Sequence, residues 1–88
     1  MAVGELQRRF GLNLRKFRQS AGLSQEAFAD RLRMHRTYVG GLERGERNLT
    51  LQSVERIADV LSVSPTALLD DVEDSVVDGG ERRVLGWE

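Results

Sequence analysis

The stretch "LSQEAFADRLRMHRTYVGGLERGERNLTL", residues 23–51, decides how this chain folds. Ser24 is a good N-cap, with Gln25 and Glu26 in the first turn after it. Ala27, Phe28 and Leu32 give that helix its inner face, and it ends near Arg33. Met34 and His35 fill a turn. A further helix is predicted from about Arg36 to Arg44, with Val39 and Leu42 inward and Gly45 as its stop. Gly40 and Gly41 stand inside it, beside Arg36, Thr37 and Tyr38. Two such residues cost roughly 2 kcal/mol of helix propensity, which tertiary contacts must offset.

Upstream, Leu6, Phe10, Leu14, Phe17 and Ala21 recur at helical spacing, so a helix is predicted from about Glu5 to Ala21, closed by Gly22. Gly11 lies inside it at a cost of about 1 kcal/mol. Downstream, "ERNL" reads as a loop. Thr50 caps a helix whose inner stripe is Leu51, Val54, Ile57, Ala58 and Leu61. Ser64 and Pro65 open a fifth helix carrying Leu68 and Leu69, which fades among Asp70, Asp71, Glu73 and Asp74. The domain is predicted over 1–74. In 75–88, two short apolar runs flank Asp78-Gly79-Gly80, the pattern of a hairpin. An isolated hairpin is marginal in water, so this segment is either a packed hairpin or a flexible tail.

Eighty-eight residues make one small domain with a single core. There is no cysteine, so neither a disulfide nor a thiolate is available, and the lone His35 lacks partners for a metal site. No cofactor, no nucleophile–base pair and no phosphate-cradling loop is expected, which argues against an enzyme. No apolar run approaches the roughly 20 residues that span a bilayer, and "MAVGELQRRF" lacks a signal-peptide core. The expected place is the cytoplasm, at the nucleoid. Net charge is −1, but its distribution is uneven. Residues 1–56 hold eleven arginines and lysines against six acids, a balance of +5, and residues 57–88 hold two against eight, a balance of −6. A basic face at one end points to a polyanionic partner.

Two short helices joined by a tight turn at "RMH" match the helix-turn-helix plan, which presents its second helix to the DNA major groove. The stretch "LSQEAFADRLRMHRTYVGGLERG" resembles the lambda-repressor/Cro, or xenobiotic-response-element, family. More narrowly, "RTYVGGLERGERNLTLQSVERIADVL" is similar to the controller proteins of restriction–modification systems, small dimeric regulators that bind their own promoter. The resemblance covers about residues 10 to 70. It implies an all-α, five-helix lambda-repressor-like domain that binds double-stranded DNA as a homodimer on a palindromic operator, with no membrane partner.

Arg36, Thr37, Gly40 and Arg44 share one face of the recognition helix. An arginine grips guanine O6 and N7 with two hydrogen bonds, worth about 1–3 kcal/mol of discrimination; Arg36 is assigned this role, and Thr37 a phosphate or a thymine methyl. At Gly40 the missing side chain admits either the bases or a packed neighbour; Gly41 is assigned to tight packing. Tyr38 reaches a phosphate or packs on the surface. The resemblance implies that Gln25 bonds phosphate and braces the first residue of the recognition helix. It also implies that Arg47 and Asn48 touch the DNA backbone or flanking bases, although Asn48 equally suits a loop-shaping role. An Arg18–Glu43 pair would bridge the first and third helices. Arg33 stands where the family often has glycine. Leu68, Leu69 and Val72 are the expected dimer surface. A second reading is an antitoxin-type module whose acidic end captures a protein partner, with Trp87 as anchor.

Overall fold

The computed structural model describes residues 4–71. Four α-helices follow one another: α1 (Glu5–Ser20), α2 (Gln25–Leu32), α3 (Arg36–Glu43) and α4 (Leu51–Leu61), and a short 3-10 turn, Pro65–Leu69, comes last. No strand occurs among the described residues, as the all-α expectation required. No helix there is long and apolar enough to cross a membrane. The expected hairpin or tail, with Val72 and Trp87, lies outside the described residues.

Two N-caps act as the sequence predicts. The Ser24 hydroxyl accepts the Ala27 amide at 3.0 Å, and the Thr50 hydroxyl accepts that of Ser53 at 3.0 Å. All four helices end in one way. Directly after the helix, or one residue later, a residue turns left-handed, and its own amide and the next fold back onto the last turn. Glycines do this at Gly22 (φ 73°) and Gly45 (φ 75°), but Arg33 and Ser62 do it at φ 58°. A side chain in that region costs about 1–2 kcal/mol, partly returned because glycine is freer in the unfolded chain. Ser62→Gly and Arg33→Gly should therefore each stabilise the fold by about 0.5–1 kcal/mol, raising the thermal midpoint by a few degrees. A drop in midpoint for both would show that the left-handed geometry is not what limits these ends.

The core is a single cluster around Phe10, Leu14, Phe28, Leu32, Val39, Leu42 and Ile57. Burying each of the larger side chains contributes about 1.5–3 kcal/mol. The predicted α4 stripe holds at Val54, Ile57 and Ala58, but Leu51 is 80% exposed. It stands at the first position of the helix, beyond the reach of the elements that cover the other three.

The expected fifth helix is corrected to a 3-10 turn of five residues. Its end is set by α1, not by its own sequence. The Asn13 amide donates to the carbonyls of Leu68 (3.0 Å) and Asp70 (2.8 Å), and Arg9 pairs with Asp71 at 2.9 Å. These contacts hold Asp70 extended (φ −66°, ψ 158°), so the helix cannot continue. Leu68, expected on a dimer surface, is fully buried in the subunit's own core, while Leu69 is half-buried.

Candidate nucleic-acid interface

α2 and α3 pack closely, with α1 braced across α3. At the start of α3, His35, Arg36 and Thr37 are all exposed, and no side chain caps that end. Tyr38 is half-buried and packs against the core, so its ring is fixed while the first-turn side chains are not.

Both glycines of α3 are buried, and the side chains that cover them are long polar ones. A Cβ built on Gly40 would stand 3.1 Å from Nη1 of Arg44 and 3.7 Å from Oε1 of Gln25. One built on Gly41 would stand 3.0 Å from Nε of Arg47. The guanidinium of Arg47 also lies over the Tyr38 ring, 5.4 Å from its centre, within cation–π range. The glycine pair is a shelf on which three long side chains rest. Gly41 does serve packing, but its neighbour is the Arg47 side chain rather than another helix.

Beneath the shelf is a buried clamp. Glu43 accepts from Arg18 through both oxygens, Nε at 2.5 Å and Nη2 at 3.0 Å. Arg18 also donates to the carbonyl of Leu23 at 2.8 Å. The Gln25 amide donates to Oε1 of Glu43 at 3.0 Å. One carboxylate thereby ties α1, the head of α2 and the end of α3. Gln25 is directed to that end of the recognition helix and not, as the resemblance implied, to Arg36 at its start. The hydrogen bond from Glu43 raises the Arg18 pKa above its already high ordinary value, against burial, which lowers it. A cation's raised pKa contributes stability below its unfolded value, so the guanidinium side of this pair is constant until strongly alkaline pH.

The loop after α3 is sewn to α1. Gln7 donates to the carbonyl of Arg47 at 2.8 Å and to Oδ1 of Asn48 at 2.7 Å. Arg44 pairs with Glu46, Nε to Oε2, at 3.1 Å. Of the sequence-predicted residues, Gln25, Gly40, Arg44 and Glu43 come together at one end of α3, and Tyr38 with Arg47 beside them. Arg36 and Thr37 sit apart at the other end.

A helix-turn-helix family model (HTH_3) matches residues 14–68. The control protein C.BamHI of Bacillus amyloliquefaciens is 44% identical over 62 residues, 69% of this chain and 76% of that protein. The control protein C.MunI of a Mycoplasma species is 36% identical over 72 residues, 81% of this chain and 97% of that one. The crystal structure of the restriction–modification controller protein C.AhdI from Aeromonas hydrophila superposes with a TM-score of 0.66 at 42% identity, covering 70% of this chain and 94% of that chain. The chain belongs to the helix-turn-helix controller family.

Several residues that build this candidate interface were given no role by the sequence. Gln7 fixes the loop that carries Arg47 and Asn48. Arg56 of α4 donates to the carbonyl of Leu32, the last residue of α2, and holds a cation where the helix leaves its carbonyls free. Gly11 meets the end of α3: a Cβ there would lie 2.4 Å from the carbonyl oxygen of Leu42. The signal for Gly11 was present, since a glycine deep inside a helix marks a close approach. Gln7 and Arg56 gave none, because backbone carbonyls are prominent among their partners and leave no mark in the sequence.

Proposed function

We propose that this chain is a homodimeric, sequence-specific transcriptional regulator that controls a restriction–modification operon through a palindromic operator. The observation that carries the reading is the exposed basic edge of α3 and its loop, Arg36, Arg44 and Arg47, mounted on a buried clamp. α3 enters the major groove by its first turn, where Arg36 reads a guanine and Thr37 meets a phosphate or a thymine methyl. Gln25, Tyr38, Arg47 and Asn48 contact the flanking backbone, and the Gly40 side lets the helix lie close once the side chains above it lift.

One such domain reads only a few base pairs, and two copies related by a two-fold read half-sites about one helical turn apart. With Leu68 spent on the core, the self-association surface is the apolar groove of about 180 Å³ rimmed by Leu6, Leu49, Leu51 and Leu69. Leu6 and Leu51 are among its exposed large apolar side chains.

Selection of bound duplexes from a random pool at two salt concentrations tests the reading. A palindromic winner and a steep salt dependence are expected. Arg36→Ala should weaken binding to that winner about tenfold or more and relax one position of each half-site. An unchanged preference in that variant removes the base contact, and a pool without any enriched sequence removes the function.

A further inference from the structure

We propose that Glu46 is a built-in brake on duplex binding: it holds Arg44 in a closed ion pair on the DNA-facing side and must release it before that arginine reaches phosphate. The inference rests on the functional reading above.

Glu46 is delivered to its place by the end of α3, not by a wandering loop. Gly45 turns left-handed (φ 75°), and the Glu46 amide then donates to the carbonyl of Gly41 at 2.9 Å. A Cβ on Gly45 would stand 2.9 Å from Cα of Arg8, so the turn is also pressed against α1. From that fixed backbone the Glu46 carboxylate meets Nε of Arg44 at 3.1 Å. Both side chains are 59% exposed. Arg44 meanwhile lies along Gly40, on the side of α3 assigned to the groove.

Two acids occur between Arg36 and Asn48. Glu43 is buried and committed to Arg18 and Gln25, so it presents no charge to a ligand. Glu46 is the exposed one, paired with Arg44 and next in sequence to Arg47, whose guanidinium rests over the Tyr38 ring. Two consequences follow, and they have the same sign. Arg44 must exchange one anionic partner for another, so part of its attraction to phosphate is already spent. Once Arg44 leaves, the carboxylate faces the phosphates uncompensated. An exposed pair of this kind is weak, so phosphate displaces it, and the result is a reduced affinity rather than a block.

The test replaces Glu46 by its neutral isostere. Glu46→Gln is titrated against the duplex enriched from the random pool and against an unrelated duplex, over a range of salt. Binding to both should tighten about threefold, with a salt dependence steeper by about one released counterion. In an Arg44→Ala background the same substitution should give a clearly smaller gain. An undiminished gain in that background, or no gain in either, overturns the proposal. So does a loss confined to the enriched duplex, which would make Glu46 a base reader accepting from a cytosine amino group. The unrelated duplex keeps the two readings separable. A protein that binds every sequence alike, yet tightens in Glu46→Gln, retains the brake and loses the sequence-specific function.

Discussion

Glu43→Ala should destabilise the domain by about 3–5 kcal/mol, the cost of leaving one member of a buried charged pair alone. The Arg18 side chain is 10% exposed and that of Glu43 4%, so water cannot take over the lost partner. Small domains hold only about 5–15 kcal/mol in all, and the variant loses a large part of it. Urea unfolding followed by circular dichroism measures this as a lower midpoint with little change in slope. The cost comes from the orphaned guanidinium, not from the loss of a strong bond. Removing Arg18 as well, in Arg18→Met with Glu43→Leu, should therefore recover part of the loss. A double variant as unstable as the two single variants added together would show that the two groups are uncoupled, and would sink the orphaned-charge explanation. The same change reaches function by a second route. Gln25 loses its acceptor on Glu43, so the head of α2 and the shelf over Gly40 lose their fixed geometry even in molecules that remain folded.

How much of this was legible in the sequence depends on where each residue's partner lies. α2 and α3 were readable almost to the residue, because Ser24 and Gly45 are local signals that act on their own helix. The start of the last element was readable too, since proline at the first position needs no partner. Its end was not: Asn13 holds the carbonyls of Leu68 and Asp70, and Arg9 the carboxylate of Asp71, from more than fifty positions away. Periodicity placed Leu51 on the inner stripe because it assigns a face and cannot say where along a helix the opposing element stops. At the interface, charge and spacing pointed to Arg36 and Arg44, and the resemblance to Arg47. They did not reveal that Arg44 and Arg47 lie folded down over the glycine pair, because a seat for a long side chain looks in sequence like a weak point in a helix.

Gly11→Ala should cost about 3 kcal/mol, the upper part of the range for overfilling a packed contact. Intrinsic propensity argues the other way, since alanine improves a helix interior by about 1 kcal/mol over glycine. Geometry decides between them. The new Cβ would lie 2.4 Å from the Leu42 carbonyl oxygen, 2.6 Å from that of Glu43 and 2.8 Å from the Glu43 carbonyl carbon. All three obstacles are backbone, so no rotamer change clears them and α1 must move off α3. The comparison with Gly40→Ala isolates that cause. Gly40 is also mid-helix and buried, but its nearest neighbours are the far ends of Arg44 and Gln25, which can swing aside. Gly40→Ala should leave stability unchanged or raise it by up to about 1 kcal/mol. Urea midpoints of the two variants, measured side by side, should fall on opposite sides of the parent or nearly so. Equal losses would mean that the crossing at Gly11 is looser than 2.4 Å implies. Gly11→Ala should also weaken duplex binding in molecules that stay folded, because one of the two carbonyls it displaces belongs to Glu43, the residue that ties the recognition helix to the rest of the domain.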